Sequence, residues 1–225
     1  MTVLHLADEG EAADLAAFLS RLLHYDRSAA VRLQAAGTAL AVFGRPPSFE
    51  VLAIRPARLA KPYEDGLDVT LDVTVSAGEL LESVDESAAT AAVPGAVTGP
   101  PWAGVLPPRG GWQGVPGLPA PDRLRATVSS AVAEFRARTQ ELAPERRTRA
   151  ELDAIGREIW SRTVGETRLP VRALHAAQSL GFLRGGEGAG ELALFSSGAW
   201  LRLRTAYGSI AVRRAGLGAL DVSVR

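Results

Sequence analysis

Apolar side chains recur at helical spacing near the start of the chain, where Ala12, Leu15, Phe18, Leu19, Leu22 and Leu23 fall on one face. Asp8 precedes this stripe and Glu11 stands three positions on, which predicts a helix over 9–24 capped by Asp8. After Tyr25 and Asp26 the period drops to two. Val31, Leu33 and Ala35 alternate with Arg32 and Gln34, Gly37 offers a turn, and 39–43 and 49–55 read as two further strands. The clearest alternation runs from Leu67 to Ser76, the pattern of an antiparallel strand with one wet face.

The pattern breaks at 91–121, which carries eight prolines and seven glycines together with Trp102 and Trp112. A freely flexible linker has little use for two indoles, so this stretch is expected to be an ordered loop docked on a surface through Trp102 and Trp112. Helical spacing then returns. Pro121 suits a first helical position, with Leu124, Val128, Ala131, Val132 and Phe135 making a stripe. Thr148 and Glu151 form a capping box ahead of Leu152, Ile155 and Ile159, and Pro170 opens a third helix expected over 169–183. Short alternating strands follow at 191–195, 200–204, 209–212 and 219–224. The expected fold is α+β: a helix packed on an antiparallel β-meander (1–90), the docked Pro/Gly/Trp loop (91–121), and a helical module ending in short strands (122–225), winged-helix-like in its order of elements.

Composition narrows the class. No apolar run approaches the ~20 residues of a membrane span, and the start of the chain lacks the basic, then apolar pattern of a secretory signal. There is no cysteine, hence no disulfide or thiolate chemistry, and a cytoplasmic location is expected. Of the 25 basic residues only Lys61 is lysine, asparagine is absent, and isoleucine occurs only at 54, 155, 159 and 210. These depletions point to a high-GC genome, which weakens arginine excess as a sign of phosphate binding. Charge is uneven. Residues 1–90 hold 7 basic and 14 acidic residues, whereas residues 168–225 hold 8 arginines and 3 acids. That asymmetry hints at a charged partner.

Three groups of short phrases carry a resemblance: Val105–Trp112, Leu169–Leu174 with Gly181–Leu183, and Trp200–Arg204 with Tyr207–Arg213. With them the chain resembles, along its full length, an uncharacterised conserved actinobacterial protein family. The resemblance implies no activity and carries over no functional residue.

No catalytic signature is present: no phosphate loop, dinucleotide fingerprint, zinc-protease helix or nucleophile elbow. His5, His24 and His175 lack metal-ligand spacing, and Asp68 and Asp72 on one strand face stand roughly 13 Å apart, too far to share an ion. Glu64, Asp65, Asp68 and Asp72 therefore read as a solvated strand face, and the Gly110-Gly111 and Gly185-Gly186 pairs as turns. No catalytic residue, metal site or cofactor is predicted.

The C-terminal part offers one constellation. Three helices and a hairpin over 191–204 follow the order of a winged helix-turn-helix module, with 169–183 as recognition helix. On its wheel Val171, Leu174, Gln178 and Phe182 face the core, while Arg172, Ala176 and Ser179 face outward beside Arg168. Arg202 and Arg204, then Arg213 and Arg214, would form a basic wing. The favoured function is nonetheless non-catalytic protein binding, as an adaptor or regulatory protein. The alternative is nucleic-acid binding through Arg168, Arg172, Ser179, Arg202, Arg204, Arg213 and Arg214, and the third reading is an enzyme without a recognisable motif. No membrane partner is expected.

Overall fold

Strands from opposite halves of the chain lie side by side at the centre of one sheet. The computed structural model describes residues 2–60, 71–184 and 192–214. Within them, β1 (Val3–His5) leads to α1 (Glu9–Tyr25), whose first turn is closed by Asp8 accepting from the Glu11 N–H at 2.8 Å. The meander follows as β2 (Ala30–Ala36), β3 (Ala39–Gly44) and β4 (Leu52–Arg58). Then come β5 (Asp72–Ser76), α2 (Ala77–Glu82), β6 (Val84–Asp85) and β7 (Thr90–Ala92). Past the Pro/Gly-rich stretch lie β8 (Gln113–Gly114), α3 (Pro121–Glu141), α4 (Arg149–Ser161), α5 (Val171–Ser179), β9 (Ala193–Ser197), β10 (Trp200–Arg204) and β11 (Ser209–Arg213).

The eight-stranded sheet has the order β5-β2-β3-β4-β11-β10-β9-β8, and every neighbouring pair is antiparallel. Its junction is β4 against β11, where Ile54 pairs with Ser209 and Leu52 with Ala211. A separate three-stranded sheet, β1-β7-β6, was not foreseen, and it takes in Thr90 to Ala92. The expected 1–90 boundary thus runs through β7, and the sheet crosses between the two halves.

Alternation sorts the strands onto two faces. Val31, Leu33, Leu40, Val42, Ala53, Leu201, Leu203, Ile210 and Val212 join one core with the buried sides of α1, α3, α4 and α5. Helix α1 contributes Ala12, Leu15, Phe18, Leu19 and Leu22, and each large aliphatic or aromatic side chain so buried contributes about 1.5–3 kcal/mol. The fold is α+β, with its helices on this inner face. Among the described residues no helix is long and apolar enough to cross a membrane.

Several expectations are corrected. The third strand begins at Leu52 rather than Phe49, because Pro46 and Pro47 open a short 3-10 turn, Pro47–Phe49, and Pro47 brings no N–H to a ladder. Helix α5 stops at Ser179, not at 183. Phe182 N–H donates to Ala177 at 2.7 Å and Gly181 N–H to Gln178 at 3.0 Å, while Gly181 sits at φ 77°. That is the Schellman ending, which needs a left-handed residue and so favours glycine. The proposed hairpin is present as β9 and β10, but it is internal to the eight-stranded sheet, with β11 and β8 on its flanks. Parts of two further strand expectations, 67–70 and Glu191, and all of 219–224 lie outside the described residues.

Candidate binding face

Among the described residues the other face of the sheet carries no α-helix. Phe43, Leu52, Ile54 and Ala211 form a second apolar cluster there, against which Ala41, Trp102, Leu106 and Trp200 pack. The reason is legible at the start of β4, where Val51–Ile54, running into the strand, is unbroken apolar and so must be covered on both sides. The cover is the Pro/Gly/Trp loop. Trp102, in the 3-10 turn Pro101–Gly104, is half-buried on this cluster, and Arg32 on β2 donates to the Ala103 carbonyl to tie the loop down. Trp112 is half-buried, donates its indole N–H to the Pro108 carbonyl at 2.9 Å, and lies under the Arg202 guanidinium at 5.8 Å.

Between the loop and the exposed part of the sheet runs a groove of about 330 Å³. Ala41, Phe43, Ile54 and Pro56 line it, Pro107, Pro108 and Arg109 come from the loop, and Arg202 reaches in from β10. Its size and mostly apolar lining with a few polar groups match those of ligand and side-chain sites.

The charges around the groove are unbalanced. Arg32 holds both oxygens of Asp72, through Nε at 2.7 Å and Nη2 at 3.0 Å, while Gln34 adds a bond at 3.1 Å. Hydrogen bonding and charge from Arg32, then the Gln34 bond and the charge of Arg109, hold the Asp72 carboxyl below the usual range. Among the described residues, neither Arg109 nor Arg202 has an ion-pair partner. The Arg202 Nε–H is buried with no acceptor, and burial together with the nearby Arg204 pulls the guanidinium below its ordinary value. Arg202 remains a cation at neutral pH all the same. Arg204 lies 4.9 Å over the Phe195 ring.

The sequence-selected residues divide between the two sides of the sheet. Arg202 and Arg204, with Arg213 exposed at the end of β11, share the outer face. Arg214 donates to the Gly198 carbonyl at the β9–β10 turn. Arg168, Arg172 and Ser179 belong to the helix side. Arg168 is exposed, Arg172 is half-buried with its Nη2 4.0 Å from Glu50, and Ser179 is half-buried.

Helix α5 is not presented outward. Ala173, Ala176 and Ala177 are all buried, Gln178 is its one exposed residue, and it packs on α3, α4, β11 and the 47–49 turn. The expected wheel is corrected on both counts: Ala176 is inside and Gln178 outside. Alanine lets backbone approach closely from either side, so small residues did not mark an open face.

Of the three histidines, His175 is stacked on Trp160. Among the described residues no group of three or more His, Asp or Glu side chains is placed to hold a metal ion. Glu64, Asp65 and Asp68 lie outside the described residues. Arg109 and the apolar lining of the groove were missed by sequence reasoning. Two signals could have found them: the unbroken apolar run in β4, and Arg109 placed directly after Pro107-Pro108.

Two family models match the chain. Residues 1–104 match one described as Domain of unknown function (DUF8010), and residues 107–217 match one described as Domain of unknown function (DUF8185). The boundary between them falls within the docked loop, while β4 and β11 pair across them. No curated protein and no solved structure matches the chain.

Proposed function

We propose that this chain is a non-catalytic binding protein, an adaptor or regulatory component, that takes a protein partner on the outer face of its shared sheet. The observation that carries this reading is the open groove beside Phe43 and Ile54, flanked by Arg109 and Arg202, neither of which forms a salt bridge among the described residues and the second of which keeps a buried Nε–H without an acceptor. Protein-binding surfaces combine an apolar centre with arginine and aromatic anchors, and Trp102, Trp112 and Trp200 stand around this one. The high-GC composition agrees with an actinobacterial source.

Nucleic-acid binding through a recognition helix finds no support. Helix α5 is enclosed, and Arg168 and Arg172 lie across the sheet from Arg202 and Arg204. The net charge of zero and pI near 6.9 also fall far from a basic nucleic-acid domain. A second reading does rest on a specific observation. The pairs Arg202–Trp112 and Arg204–Phe195 put cations and aromatic rings on one sheet face, a platform on which single-stranded bases stack.

The deciding experiment is purification of tagged protein from its native host, with and without nuclease, beside Ala41→Arg. Ala41 lines the groove and is half-buried, so the longer side chain fills the groove. A stoichiometric protein that survives nuclease and is lost from Ala41→Arg is the expected result. Co-purifying nucleic acid, with retention of a thymidine 20-mer at ~50 mM salt, would replace this reading with the second.

A further inference from the structure

We infer that the groove receives a short acidic segment of the partner, one aliphatic or aromatic side chain lying on Phe43 and Ile54 and an adjacent carboxylate between Arg109 and Arg202. This deepens the protein-binding reading and rests on it.

Three observations converge. The groove of about 330 Å³ is too small for a folded element but ample for one large side chain with its backbone, and its floor is apolar. Next, two guanidinium groups stand at its edge without a salt bridge among the described residues: the charge of Arg109 reaches Asp72, but that carboxylate is already held by Arg32. Arg202 is the more telling, because its buried Nε–H has no acceptor and it sits beside a second cation, Arg204. An unanswered buried donor and a like-charge neighbour both raise the energy of the empty site, and an anion relieves both. Among the described residues Arg202 makes no hydrogen bond that turning toward a ligand would break.

The third observation is a pattern on the same face. Arg32 grips Asp72 through the Nε and Nη2 edge, at 2.7 and 3.0 Å, the planar two-point fork that guanidinium and carboxylate share. Arg202 carries the same edge unfilled. A carboxylate fits this better than a phosphate chain, because the apolar floor leaves the repeated charges of a nucleic acid without partners. Specificity then comes from spacing: the acid and the apolar side chain must be near neighbours to reach both features.

The test is panning of a phage-displayed random 12-mer library on the immobilised full-length protein, followed by fluorescence anisotropy with the synthesised, fluorescein-labelled leading peptide. The expected result is enrichment of peptides in which Asp or Glu lies within a few positions of Leu, Ile, Phe or Trp. Arg109→Gln and Arg202→Gln should each weaken the leading peptide at least about tenfold, the scale of one lost charge-assisted hydrogen bond. Arg109 is exposed, so its variant keeps the wild-type fold even where Arg202→Gln alters the melting temperature. Ala41→Arg should abolish binding.

Enrichment of basic or purely apolar peptides, no enrichment, or acidic peptides indifferent to both arginine variants would each overturn the inference. Decanoate supplies the same chemistry as a free acid. If it binds with arginine dependence while no peptide does, the groove is a small-acid site and the peptide assignment falls. The protein-binding reading fails separately: a host protein still lost from Ala41→Arg preserves that reading even when no acidic peptide is enriched.

Discussion

The imidazole of His175 lies stacked on the indole of Trp160, with ring centroids 4.5 Å apart and planes inclined by 21°. The same ring meets Phe49 in a T-shaped contact, with centroids 5.1 Å apart, so a C-terminal helix and an N-terminal turn are joined through one histidine. Burial disfavours the imidazolium and holds His175 below the usual histidine value of 6.5. The unfolded chain therefore binds more protons than the native one just below that value. Stability from this site is fully present above pH 6.5 and declines as the pH falls toward the lowered value. Urea titrations at pH 7.5 and 5.5 should show a larger loss of midpoint for wild type than for His175→Phe. Equal losses would remove His175 as the cause.

The Phe182 ring closes over Gly208, where an added Cβ would lie 2.6–2.8 Å from three ring carbons. Gly208 lies in the turn between β10 and β11, and Phe182 closes the Schellman end of α5, so this contact clamps helix to sheet. Gly208→Ala is expected to destabilise the protein by about 1–3 kcal/mol through overpacking. Chemical denaturation measures it, and a change below 0.5 kcal/mol would mean the ring moves aside freely.

Arg55 is buried on the inner face of β4 and is held by three groups. It donates to the Tyr207 carbonyl at 2.8 Å, to Glu11 at 3.1 Å and to Asp14 at 3.2 Å. Glu11→Ala leaves a buried guanidinium short of its counter-charge and should cost about 3 kcal/mol. Arg58 also pairs with Glu11, at 2.9 Å, but its side chain is 71% exposed. Arg58→Ala should therefore cost far less than Glu11→Ala, since water screens an exposed pair. Equal losses in the two variants would show that burial does not set the value of this network.

Trp102 and Trp112 hold the loop in unlike ways. Trp102 packs on the Phe43, Leu52, Ile54 and Ala211 cluster, whereas Trp112 is held by one hydrogen bond to Pro108 and the facing Arg202. Trp102→Ala is expected to lose about 2 kcal/mol, below the 3–5 of a fully buried aromatic. Trp112→Ala should lose about 1 kcal/mol. Thermal melts of both variants check the order, and a larger loss at Trp112 would reverse the assignment of anchor.

Local order was legible in the sequence because its causes are local. Asp8 and Glu11, or Thr148 and Glu151, lie within one helical turn, so a cap can be read without knowing the neighbours. Alternation in Val31–Ala35 likewise states that one face is buried, whatever covers it. The pairing of Ile54 with Ser209 is different in kind, since a strand's hydrogen-bonding edge carries no mark of its partner. Only the assembled chain selects β11 for that edge, after the helices have claimed the inner face of both halves. Helix α5 shows the same limit. Its alanines fit an open groove-reading surface and a tightly packed one equally well, and the packing of α3, α4 and β11 around them made the choice. Arg202 was visible as an arginine on a half-wet strand. Its isolation beside an apolar groove came from the path of the 107–109 segment over the sheet, a long-range placement that spacing along the chain does not encode.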